Sequence, residues 1–139
     1  IAVITALMFV IVRLWLKHKD KRYKNLISDN PLLSKKIRHY ESKRELCNFK
    51  LRVLTVKESR CGNLRNKILT SLPEEKEELY AEIKKDEAEI KSINEKVTEL
   101  YYEWEKAYDD VVKYAAETLK PKDYKFFCKH GGWEQNESS

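Results

Sequence analysis

Residues 79–118 read LYAEIKKDEAEIKSINEKVTELYYEWEKAYDDVVKYAAET. Within them Leu79, Ile83, Asp86, Ile90, Ile93, Val97, Leu100, Trp104, Ala107, Val111, Tyr114 and Thr118 stand alternately four and three residues apart, and only Asp86 and Thr118 are neither apolar nor aromatic. That spacing gathers every member of the row on one stripe of an α-helix, because the helix turns about 3.6 residues at a time. A 4,3 pattern sustained over this length is the signature of a coiled-coil seam.

Upstream, Ser71-Leu72-Pro73-Glu74 has the form of a capping box with a proline in the first turn. Glu74, Glu75, Glu77 and Glu78 follow at the positive end of the helix dipole. A helix is therefore expected over 72–120. An earlier start signal, Ser28-Asp29-Asn30-Pro31, offers Asp29 or Asn30 as a cap and opens a second expected helix over 31–70. Its seam is Leu33, Ile37, Tyr40, Arg44, Cys47, Leu51, Leu54, Glu58, Cys61, Arg65, Ile68 and Leu72, again in strict alternation. Gly62-Asn63 is its weak point, since glycine costs about 1 kcal/mol in a helix interior and the pair could end the helix early.

Charge sets the orientation of the two helices. With Leu33 and Leu79 as d positions, the g row of the first helix begins Lys36, Lys43, Lys50, Lys57, and that of the second reads Glu82, Glu89, Lys96, Glu103, Asp110, Glu117. In an antiparallel pair g faces g′, so basic meets acidic, whereas the e row of the second helix carries a single acid, Glu87. An antiparallel hairpin over 31–120, turning near Pro73, is the simplest arrangement, with Lys36, Lys43, Lys50, Glu103, Asp110 and Glu117 as the expected charge-pairing residues. Two registers one heptad apart remain open. One centres the turn near Leu72 but sets Glu58 against Asp86; the other puts Arg65 opposite Asp86 and moves the turn beyond the proline. Each gives three opposite-sign g pairs out of four. Exposed pairs contribute about 0–1 kcal/mol each, so their work is to choose the partner, while the apolar seam supplies stability.

Tyr80, Tyr101 and Tyr108 stand in the e row beside the second seam and widen the apolar stripe beyond what one helix covers. They are candidate partner-binding residues, for a further helix from a second copy or another protein; the alternative is that they are half-exposed packers on the helix flank.

Composition agrees with an all-helical chain. Of 139 residues 37% are charged, and there are only three Gly and three Pro, too few to punctuate a strand-rich or α/β fold. The net charge of +5 divides by segment: six Lys/Arg against two acids over 1–30, eleven against three over 31–73, eight against fifteen over 74–120 and three against three over 121–139. The basic and acidic blocks answer one another, which speaks for self-pairing more than for an external polyanion, and nucleic acid is not expected as a partner.

The chain opens with IAVITALMFVIV, then Arg13, Leu14, Trp15 and Leu16. Sixteen helical residues rise about 24 Å, short of a hydrocarbon core of about 30 Å, and the first residue is Ile rather than Met, so residues 1–16 are expected to be the later part of a transmembrane helix with more chain upstream. A signal-peptide core would carry its cations before the apolar run rather than after it; a buried helix of a soluble domain is the other alternative. Trp15 with Lys17, Lys19, Lys21, Arg22 and Lys24 then reads as a membrane-interface cluster. Residues 17–30 are expected to be a basic juxtamembrane linker, with the rest of the chain on the cytosolic side, or the matrix side of a mitochondrion. The sequon Asn136-Glu137-Ser138 would matter only on a lumenal side.

After Pro121, the segment 121–139 mixes aromatic and basic residues. The two hairpin helices, about 60 Å each way, would return it to the bilayer, where Tyr124, Phe126, Phe127 and Trp133 could anchor it in lipid or on a membrane partner; alternatively they cap the open end of the hairpin. Cys47 and Cys61, two heptads apart on one helix, cannot bond to each other there and read as small core packers, and the odd count of three Cys fits a reducing compartment. Cys128-Lys129-His130 lacks a second ligand pair, so no metal or cofactor is expected, and no catalytic constellation can be assembled.

The expected function is non-enzymatic: a single-pass membrane protein whose coiled-coil arm scaffolds, tethers or stabilises a membrane complex, with other subunits, a second copy and membrane lipid as partners. The alternative is a regulatory module whose basic face over 31–67 binds anionic lipid or another polyanion when the hairpin opens.

Overall fold

Each of the chain's three prolines stands at the first position of a helix. The computed structural model describes residues 1–133, and among them the elements are α1 (Ala2–Ser28), α2 (Pro31–Ile68), α3 (Pro73–Thr118) and α4 (Pro121–Gly131), with no strand. Proline suits that position because its ring presets a helical φ and the N–H it lacks would have had no acceptor within the helix.

The joints are made by short-range hydrogen bonds. Asn30 caps α2: its Oδ1 accepts from the Leu33 N–H at 3.3 Å and from the Tyr114 hydroxyl at 3.3 Å, while its carbonyl accepts from Ser34 N–H. Between α2 and α3 the capping box does not form. The Ser71 hydroxyl turns back and donates to the Lys67 carbonyl at 2.6 Å, satisfying an orphan acceptor in the last turn of α2, and α3 begins instead on the Leu72 carbonyl, which accepts from Glu75 and Lys76 N–H. Gly62-Asn63 does not end α2, which continues to Ile68.

α2 and α3 pack closely as a hairpin-like, coiled-coil-like pair, and their partners fix the register. Lys36 Nζ lies 2.7 Å from Asp110 Oδ2, Lys43 Nζ lies 2.7 Å from Glu103 Oε2, Lys57 pairs with Glu89, and the Tyr40 and Trp104 rings are 6.3 Å apart. These pairs belong to the register with the turn near Leu72. The Glu58–Asp86 conflict that this register implied is relieved by the burial pattern of α2. Its d row is buried at Leu33, Cys47, Leu54, Cys61 and Ile68 and half-buried at Tyr40, but of its a row only Ile37 is buried, and Arg44, Leu51, Glu58 and Arg65 are exposed. Glu58 therefore keeps its hydration, and Asp86, 4% exposed, has Arg60 Nε 3.4 Å from its Oδ2. That oxygen has no hydrogen bond.

Two compact units divide the chain: Ile1–His39 with the chain from Tyr108 onward, and Tyr40–Ala107. The first is centred on Leu33, Ile37, Val111, Val112, Ala115, Phe127 and Trp133. The second follows the seam of Cys47, Leu54, Cys61, Ile68, Ile83, Leu100 and Ala107, with Leu64, Leu79 and Ile90 packed against the Cys61-Ile68-Ile83 cluster.

The N-terminal segment departs from the sequence expectation. No helix among the described residues is long and apolar enough to cross a membrane, so the transmembrane helix over 1–16, and the single-pass topology with a cytosolic or matrix domain built on it, are not supported. The physical reason is charge. α1 starts at Ala2, and eighteen residues counted from there already include Arg13, Lys17 and Lys19. The basic run expected to form a linker is the second half of the same 27-residue helix. Residues 1–18 are exposed throughout.

Candidate functional site

In the first unit, Arg22, Phe126, Phe127 and Trp133 among the side chains expected at a membrane interface are engaged in packing between α1 and the chain from Pro121 to Trp133. Tyr23 stacks on Phe127 with ring centroids 5.7 Å apart, Phe127 stacks on Trp133 at 5.6 Å, and Trp133 stacks on Tyr108 at 5.3 Å. Arg22 lies 4.1 Å over the Phe126 ring and 3.5 Å from Asp123, and Lys19 sits 3.7 Å over Trp15. His130 stacks on Phe126 and its Nε2 is 2.7 Å from Asp20. Phe127 and Trp133 are buried, so these two side chains are taken up within the chain, and Tyr124 and Phe126 are half-buried. Burial holds the Tyr124 phenol above its ordinary pKa, reinforced by Cys128. Lys17, Lys21 and Lys24 are exposed.

Gly131-Gly132 makes this packing possible. Gly132 is left-handed (φ 73°) and its N–H donates to the Cys128 carbonyl, as does Trp133 N–H at 2.9 Å, the αL termination that glycine favours. The turn brings Trp133 Nε1 to within 2.7 Å of the Tyr23 hydroxyl, and a Cβ on Gly131 would lie 2.4 Å from that same oxygen. The sequon 136–138 lies outside the described residues.

In the second unit the tyrosines fare differently. Tyr80 is 58% and Tyr101 50% exposed, the latter meeting only the edge of Trp104 at 5.6 Å, whereas Tyr108 belongs to the packed cluster of the first unit. Beside Tyr80 an open groove of about 570 Å³ is lined by Ile68, Tyr80 and Ile83 with Arg65, Lys84 and Glu87. Gly62 precedes it on α2, and a Cβ there would meet nothing within 4 Å. Arg65 Nη2 is 2.6 Å from Glu87 Oε1, which holds the guanidinium pKa above its ordinary value. The groove thus has an apolar floor with a charge pair and a free-standing phenol at its edge, the composition of a protein-binding patch.

Among the charge-pairing candidates, Lys36, Lys43, Glu103 and Asp110 meet as described above. Lys50 and Glu117 have no ion-pair partner among the described residues, and Lys96, across from Lys50, turns to Glu99 at 3.6 Å. Glu89 is held below the usual carboxylate range by its hydrogen bond and charge contact with Lys57. Sequence reasoning did not single out Leu46, Phe49 and Val56, which lie exposed on α2; their three- and seven-residue spacing was the available signal. Among the described residues no group of His, Cys, Asp and Glu is placed to hold a metal ion.

No protein-family model, curated protein or solved structure matches this chain.

Proposed function

We propose that the chain is a non-enzymatic interaction module, a helical hairpin that scaffolds or stabilises a larger protein assembly by offering the tyrosine side of its second unit to partner proteins. The observation that carries this reading is the contrast among its tyrosines: Tyr108 is half-buried with its ring stacked on Trp133, while Tyr80 and Tyr101 stand more than half or half exposed, Tyr80 beside an apolar groove. Tyrosine at such a position brings a large apolar face with a hydrogen-bonding tip, and it is enriched at interface hot spots for that reason. The exposed apolar first half of α1 supports the same reading, since surface of this kind marks interaction sites.

Several of the residues that could bear chemistry are taken up by packing, while His18 and His39 are exposed. Cys47 and Cys61 are buried, and His130 is held between Phe126 and Asp20. Five cations of α2 (Lys36, Lys43, Lys57, Arg60, Arg65) face acids of α3, which weighs against a basic face free to take a polyanion.

The test is the native size of the chain in its own cells, wild type against the Tyr80→Ser/Tyr101→Ser variant. The wild type is expected in a species larger than the chain alone, and the variant is expected to be released from it with its helicity intact. A wild-type chain that migrates as a free monomer overturns the reading.

A further inference from the structure

α2 carries a second apolar row that the hairpin leaves outside. Leu46, Phe49, Val53 and Val56 follow one another at intervals of three, four and three residues, the spacing that lines one helix face over roughly 15 Å. Leu46, Phe49 and Val56 are 43%, 52% and 69% exposed, while Cys47 and Leu54 on the seam of the same turns are 0% and 8% exposed. At roughly 100° per residue the row is centred about 130° from the Cys47–Leu54 line. One stretch of α2 therefore has two apolar faces, and α3 covers one of them.

The charges around this row say what covers the other. Lys50 and Lys57 flank it on one side and Arg52 on the other, Arg60 continues its line, and Glu45 is the one acid beside it. Lys57 and Arg60 are answered by Glu89, Glu82 and Asp86, but Lys50 and Arg52 have no acidic partner among the described residues. A second copy docked row to row would set these cations against themselves. An amphipathic helix with acidic flanks would match both the apolar spacing and the uncompensated charge.

We propose that Leu46, Phe49, Val53 and Val56 form a docking seam for an acidic-flanked amphipathic helix of another protein. It uses residues other than Tyr80 and Tyr101, so its failure leaves the tyrosine-side reading standing, and the reverse also holds.

The test titrates the full chain with two labelled synthetic helical peptides that share one apolar row, one flanked by Glu and the other by Lys, read by fluorescence anisotropy. The Glu-flanked peptide is expected to bind at least about tenfold tighter. Phe49→Ser/Val56→Ser should weaken it by about tenfold or more with unchanged helical circular dichroism, since both side chains are largely solvated. Lys50→Glu/Arg52→Glu should reverse the preference between the two peptides, and Tyr80→Ser/Tyr101→Ser should leave it unaltered. The proposal is overturned if the two peptides bind alike or if the Phe49/Val56 variant binds undiminished. It is equally overturned if Phe49 and Val56 instead support dimerisation of the chain itself, or binding of vesicles of anionic lipid.

Discussion

The packing of α4 on α1 and the hairpin stretch of Tyr40–Ala107 answer the same problem, an excess of aromatic and apolar side chains over one helix pair, in opposite ways. Around Phe127 the excess is closed internally: a short fourth helix and a glycine turn stack Tyr23, Phe127, Trp133 and Tyr108 on one another, with the Trp133 N–H donating to Tyr23. In the second unit a narrow aliphatic seam, with Cys47 and Cys61 among its members, is flanked by ion pairs, and Tyr80, Tyr101, Phe49 and Val56 are left in water. A lone helix pair of this kind fixes its register with flanking charges and leaves its apolar surplus in water.

Breaking the internally closed side should have the largest effect. Phe127 is fully buried, and Phe127→Ala is expected to cost about 3–5 kcal/mol in denaturant unfolding; a loss below about 1 kcal/mol would mean that the aromatic stack is not what holds α4. Next comes the second unit's one buried defect. Asp86 is 4% exposed, and its Oδ2 has Arg60 at 3.4 Å but no hydrogen bond, so Asp86→Leu should stabilise by about 1–2 kcal/mol, and a destabilised variant would show that Arg60 compensates the charge fully. Gly132→Ala forces a side chain into the left-handed region and should cost about 1 kcal/mol, separating α4 from α1 more readily than it disturbs Tyr40–Ala107.

The smallest effect is electrostatic. The Glu89 pKa is lowered in the folded chain, so the stability it contributes is fully present above the ordinary carboxylate range and is lost as pH falls through its lowered value. Lys57→Met should flatten the acid limb of the stability curve in that window, and an unchanged limb would assign it to other carboxylates.

The seams of α2 and α3 were legible because a 4,3 row over this length has few other readings, and the antiparallel sense followed from Lys36 and Lys43 against Asp110 and Glu103. The register was not legible, since both choices matched equal numbers of charges. What decided it was that α2 turns its a row outward and leaves Glu58 hydrated, a rotation that heptad labels do not carry. α4 was hidden for a different reason: eleven residues rich in aromatics show too few turns for a periodicity, and their partner, Tyr23, lies far away in the chain. The apolar opening of α1 misled because Lys17 and Lys19 were read as a flank outside a span, whereas they and Arg13 belong to the same 27-residue helix and no stretch of it is apolar enough to cross a membrane.

Hydrogen exchange resolved by segment, on the purified chain and on the chain in its native assembly, tests the central contrast most directly. Residues 46–60 and 80–101 should gain protection in the assembly while residues 121–131 keep the protection they already have. Equal protection of residues 46–60 and 80–101 in both states would contradict the claim that this unit's uncovered faces are there to be covered.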